Sequence, residues 1–225
     1  MLAVTLALAL CAARSAWPHG VSERDAGFVI NAAGSHVLAF MYLGAKHMLT
    51  GADHLLFLFG VIFFVYRPTQ IALYVSLFAL GHSVTLLLGV LGHWQVNAHA
   101  IDALIALSVV YKGFDNMGGF RTAFGAQPDL KAAVLGFGLI HGLGLAGKLQ
   151  ELHLAPQGLV PNLLAFNVGV ELGQLLALSL MLLAIGWWRS RPAFARSAVA
   201  ANTVLMGAGF VLMQFQLVAW RVSTP

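Results

Sequence analysis

Two histidines and an aspartate fall within eight residues, His47-Met48-Leu49-Thr50-Gly51-Ala52-Asp53-His54, and the run leads straight into Leu55-Leu56-Phe57-Leu58-Phe59. Imidazole nitrogens and carboxylate oxygens are the donors that divalent transition metals accept. On an unbroken helix, residues seven apart share a face, which puts His47 over His54 with Asp53 beside them. If Gly51 breaks the helix, His47 folds back over the other two. Both geometries converge two imidazoles and a carboxylate on one ion. The competing account is a helix start capped by Asp53.

More chemistry of this kind sits deeper in apolar sequence. His82-Ser83 lies in Phe78-Ala79-Leu80-Gly81-His82-Ser83-Val84-Thr85-Leu86, and His141 in Gly136-Phe137-Gly138-Leu139-Ile140-His141-Gly142-Leu143-Gly144. Asn167, Glu171 and Gln174 follow i, i+4, i+7 spacing and are expected on one helix face, beside the Gly169/Gly173 pair. The candidate metal ligands are therefore His47, Asp53, His54, His82, His141 and Glu171, with Ser83, Asp102, Asn167 and Gln174 as supporting polar groups. Each has a plainer reading: a packed histidine, small-residue helix packing, or hydrogen bonding between helices. Ser83 and Thr85 are expected to bond carbonyls or ring nitrogens across helices. Lys112 and Asp115, at i, i+3, are expected to form a salt bridge.

The elements carrying these residues belong in a lipid bilayer. Of 225 residues, 60% are hydrophobic and 9% charged, and the mean hydropathy is +0.84. Soluble domains carry about 25% charged residues. A central Asp in a membrane helix costs roughly 2.5–3.5 kcal/mol, so such groups need partners. The basic residues are spread over loops without a patch, which speaks for membrane orientation and against nucleic acid. The only cysteine, Cys11, leaves no disulfide framework and no thiolate metal site in the body of the chain.

Residues 1–16 read as a secretory signal, a short apolar run from Leu2 to Leu10 followed by small residues, although no basic residue precedes the run. A periplasmic segment (17–36) and one transmembrane helical domain (37–222) follow. The expected fold is all-α and polytopic, with about six crossings after the signal. A short helix over Val37–Leu49 lies at the surface or dips in. Crossings then run at Ala52–Tyr66, Ile71–Leu91, Ala98–Met117, Lys131–Gly147, Pro161–Trp188 and Ser197–Trp220. With the processed N-terminus outside, Arg67, Lys112, Arg121, Lys131, Arg189, Arg191 and Arg196 fall inside. Only Arg24, Lys46, Lys148 and Arg221 fall outside, so the positive-inside rule agrees with the signal. That orientation places all the candidate ligands in the outer half of the membrane, at compatible depths.

At these residues the chain resembles the HupE/UreJ family of bacterial membrane proteins, especially its second subgroup. The matching stretches are His47-x5-Asp53-His54-Leu-Leu-Phe, Gly81-His82-Ser83-Val84-Thr85-Leu86, Ile105-Ala106-Leu107-Ser108, Phe137 to Gly144, and Phe166-Asn167-Val168-Gly169-Val170-Glu171-Leu172-Gly173-Gln174. The first is one residue longer than the His-x4-Asp-His signature of nickel/cobalt permeases. The family pattern carries glutamates where this chain has Asp102 and Asp115, and its nickel-permease subgroup has proline where this chain has Met48. The resemblance implies a nickel permease of the inner (cytoplasmic) membrane.

Three functions fit the residues. The first is a transporter for a divalent transition metal, nickel by the resemblance and with cobalt or zinc as other ions, entering from the periplasm and working alone or as a homo-oligomer. The second is an intramembrane zinc-dependent hydrolase, in which histidines hold an ion with an open position and Asp53 or Glu171 acts as general base. In the third, the polar residues only join helices.

Overall fold

The computed structural model describes residues 34–151 and 156–223, which are helical throughout apart from short connections, with no strand among the described residues. The expected signal segment lies outside the described residues, as does all but the end of the segment after it. Eight helices follow: α1 (Val37–Thr50), α2 (Ala52–Ile62), α3 (Pro68–Leu91), α4 (Ala98–Asn116), α5 (Gly119–Phe124), α6 (Leu130–Glu151), α7 (Leu159–Arg189) and α8 (Phe194–Ser223). Pro68 opens α3, where its missing N–H costs nothing. The Asn97 side chain caps α4 by accepting from the Ala100 amide at 2.9 Å.

Four of these helices, α3, α6, α7 and α8, are long and apolar enough to cross a membrane. Of the six expected crossings, those carried by α2 and α4 do not meet that length and composition. α4 has 19 residues but carries Asp102, Lys112 and Asp115. α2 stops at Ile62 after 11 residues, not at Tyr66, and so spans only ~16 Å. The chain turns there because the Arg189 guanidinium donates to the carbonyls of Ile62, Phe63 and Val65 at 2.5, 2.7 and 3.1 Å.

α1 is exposed along one side and packed along the other. It packs lengthwise on the first half of α7: the His36 amide donates to Asn162 Oδ1 at 2.7 Å, and Gly44 meets the Phe166–Val170 backbone. Gly169 and Gly173 in turn receive the backbone of Met41 and Ala45. α2 continues in the same direction and ends beside Arg189. The two helices together therefore accompany α7 from Asn162 to Arg189, broken at Gly51 by one extended residue (φ −71°, ψ 102°).

Helix pairing is long-range in sequence. α3 runs parallel to α6, with Phe78 against Gly138 and His82 against Gly142. α4 runs antiparallel to α8, with Gly113 against Asn202 and Met206, Val110 against Gly209, and His99 Nδ1 2.9 Å from Gln216 Oε1. Small residues at these crossings let backbones touch, the usual device where lipid gives helices no hydrophobic reason to associate. α2 sits amid these pairs, against α1, α4, α7 and α8.

Candidate metal centre

Four helices deliver the site. His47 lies in the last turn of α1, Asp53 and His54 in the first turn of α2, His82 in α3 and His141 in α6. Of the two geometries open for the first motif, the break at Gly51 is the one formed. The Gly51 amide still donates to the His47 carbonyl at 2.9 Å, after which the extended residue redirects the chain. A Cβ at Gly51 would lie 2.7 Å from His54 Nδ1 and 3.1 Å from Asp53 Oδ1, so only glycine leaves both side chains where they are. The His47 and His54 rings then meet edge to face with centroids 5.0 Å apart.

His54 is the hub. Its ring lies 4.8 Å from that of His141 and 6.0 Å from that of His82. Donor atoms of His47, His54 and His82 all fall within 4.8 Å of one another, and so do those of Asp53, His54 and His141. Donors sharing one ion at about 2.1 Å are at most about 4.2 Å apart, so either group closes on a cation with shifts of tenths of an ångström. Asp53, His54, His82 and His141 are buried and His47 is half-buried. The shell around them is aromatic: Phe78 and Phe57 lie 5.0 and 5.6 Å from the His141 ring, and Phe166 lies 5.9 Å from His47.

The hydrogen bonds orient the lone pairs. His54 Nδ1 is 3.0 Å from Asp53 Oδ1. An ionised carboxylate only accepts, so Nδ1–H donates and Nε2 keeps the lone pair. Ser108 Oγ is 2.6 Å from the Ile105 carbonyl and 3.3 Å from His141 Nε2. The hydroxyl gives its one proton to the carbonyl, so it accepts from His141 Nε2–H, and Nδ1 of that ring holds the lone pair. His47 Nε2, His54 Nε2 and both nitrogens of His82 are buried with no hydrogen-bond partner among the described residues. Leaving a buried polar atom unsatisfied costs about 1–3 kcal/mol, and several at one point mark a place built for a ligand.

The remaining candidates divide. Glu171 is exposed on α7 and belongs to neither donor group, whereas Asn167 and Gln174 are buried. α7 turns Gly169 and Gly173 toward α1, and the residue one turn past Asn167 rotates out of that contact. Gln174 lines a cavity of about 10 Å³ with His54, Met48 and Phe78, and donates weakly to the Val75 carbonyl at 3.4 Å. The Asn167 amide has no hydrogen-bond partner among the described residues. Ser83 is half-buried and, among the described residues, makes none of the hydrogen bonds expected of it. Thr85 makes one, reaching the Leu139 carbonyl of α6 at 2.7 Å. Asp102 is bound by Lys148, with Nζ 2.9 and 2.7 Å from its two oxygens. Lys112 Nζ is 2.5 Å from Asp115. Ser108 and Lys148 escaped the sequence reading. Ser108 stood in a quoted motif, but Lys148 carried no signal beyond lying two turns after His141.

The profile of the family described as HupE / UreJ protein matches residues 23–224, nearly the whole chain and every element of this centre. The chain belongs to the HupE/UreJ family. HupE/UreJ proteins are multi-pass membrane proteins generally associated with nickel or cobalt uptake, and the imidazole and carboxylate donors gathered here suit such ions. A search of curated proteins and of solved structures found no match to this HupE/UreJ chain.

Proposed function

We propose that this HupE/UreJ protein is a permease that carries a divalent transition metal, nickel before cobalt or zinc, across the bacterial inner membrane. The ion is held during passage by His47, Asp53, His54, His82 and His141. The observation that carries this reading is His54, shared by two three-residue donor groups on four helices, with unclaimed nitrogens facing it. The overlap suits a cargo better than a resident ion, because one imidazole can pass a cation from one group to the other without releasing it.

The membrane arrangement proposed is six traverses, with the α1–α2 pair acting as one broken crossing and α4 as another. Discontinuous helices at membrane depth are a recurrent way to expose donors in transporters. Arg67, Arg121, Arg189 and Arg191 gather at the end where α2, α4 and α7 finish, which supports reading that end as cytoplasmic and the processed N-terminus as periplasmic. His82 and His141 lie ~14–15 Å from the opposite helix ends, nearer to them than to the arginine-bearing ends, which supports entry from the periplasm. A hydrolase also needs a position for water and a route for a substrate bond. The packed phenylalanines around the histidines and the cavity of about 10 Å³ beside His54 favour a bare ion as ligand.

The test is nickel uptake into vesicles together with metal content of the purified protein. Saturable uptake abolished by His54→Ala is the expected result. Stoichiometric, non-exchanging zinc without flux would transfer the site to the hydrolase reading.

A further inference from the structure

A largely buried cation lies between the histidines and the end of α6 that is proposed to face the periplasm. α6 carries His141 and, seven residues later on the same face, Lys148, which is therefore ~10 Å farther out. Its ammonium is fastened to both oxygens of Asp102 on α4, at 2.9 and 2.7 Å, with side-chain exposures of 10% and 6%. Asp102 also faces Gly144, one turn from His141, so the pair fills the seam between α4 and α6 directly above the site. At the same end of α6 lies a cavity of about 600 Å³ whose walls include His93, Trp94, Gln150, and Gly147 and Leu149, the residues flanking Lys148 in sequence.

A buried ion pair is a poor way merely to join two helices. Desolvation consumes most of its Coulombic gain, and apolar side chains of like volume hold as well or better. α4 and α6 already meet at Gly144, where Ile101 and Ile105 pack. A fixed positive charge on the route of a divalent cation must also slow that cation. Lysine suits a bond that has to break, being a compact charge on a flexible stem without the bidentate fork of arginine.

We propose that Lys148 is a tethered stand-in for the cargo: its ammonium keeps the Asp102 carboxylate occupied until an arriving divalent cation displaces it on the way to the histidines. Lys148 is thus a rate- and selectivity-setting residue. Monovalent ions do not outcompete a buried ammonium for one carboxylate, whereas a doubly charged ion does. The inference rests on the histidine cluster being the cation site.

Its test is the association rate of Ni²⁺ with the purified full-length protein in lipid nanodiscs, for wild type, Lys148→Met and Lys148→Arg. Lys148→Met should bind about tenfold faster, the scale on which removing an opposing field changes association. Lys148→Arg, with a charge that clamps both oxygens more firmly, should bind more slowly than wild type. Should Lys148→Met fail to fold, the arginine variant decides alone. Equal rates in wild type and the folded variants overturn the inference while leaving the metal site standing. No Ni²⁺ binding by wild type overturns the proposed function and this inference together.

Discussion

His141 is oriented by a group that never needs to touch the ion. The Ser108 hydroxyl, committed to the Ile105 carbonyl, leaves His141 only one way to bond it, and so selects the ring nitrogen that keeps its lone pair. Supporting partners of metal-binding histidines are worth about 10–100-fold in affinity. Ser108→Ala is accordingly expected to weaken Ni²⁺ binding by about tenfold with little change in melting temperature, readable by titration calorimetry and thermal unfolding. Glu171 gives the opposite expectation. An exposed residue that belongs to neither donor group should leave affinity unchanged within about twofold on Glu171→Gln. A loss as large as that of His54→Ala would return Glu171 to the site.

At the scale of elements, contact distances between backbones decide what the helices tolerate. A Cβ at Gly169 would overlap the Met41 carbonyl of α1, whereas Gly136, in the middle of α6, has open space around it. Gly169→Leu should push α1 off α7, lowering thermal stability sharply and carrying His47 away from His54. Gly136→Ala, which removes only backbone freedom, should be neutral or stabilising by up to about 1 kcal/mol. Comparable losses in the two variants would contradict this packing. The same scale shows what the residues alone conveyed. Apolar runs and prolines located α3, α4, α6, α7 and α8 to within a few residues, because bilayer solvation acts on composition. The choice between a continuous and a broken helix at Gly51 stayed open, since glycine is compatible with both and tertiary contacts to α7 and Arg189 settle it. The i, i+4, i+7 pattern of Asn167, Glu171 and Gln174 was real but too coarse. Residues on one face still differ by tens of degrees, enough to bury two and expose the third. Lys148 was illegible because the partner of Asp102 is 46 residues away in the chain.

The whole molecule sets direction. If the ends of α2, α4 and α7 that carry the arginines face the cytoplasm, single cysteines at opposite ends report opposite sides. In a Cys11→Ala background, Gln95→Cys, exposed between α3 and α4, should react with an impermeant maleimide on intact spheroplasts. Thr122→Cys, exposed in α5, should react only after lysis. The reversed pattern would invert the route and make the ion's entrance an exit.

The parallel partnering of α1 with α7 and of α3 with α6 also has a bearing on biogenesis. A ribosome making this chain delivers α1, α2 and α3 to the bilayer well before α6 and α7 exist, so their glycine faces wait in lipid unpacked and His54 waits for its His141 neighbour. Fragments ending after α4 should therefore insert yet be cleared by quality-control proteases, and the ion's resting place comes into being only when the second half of the chain arrives.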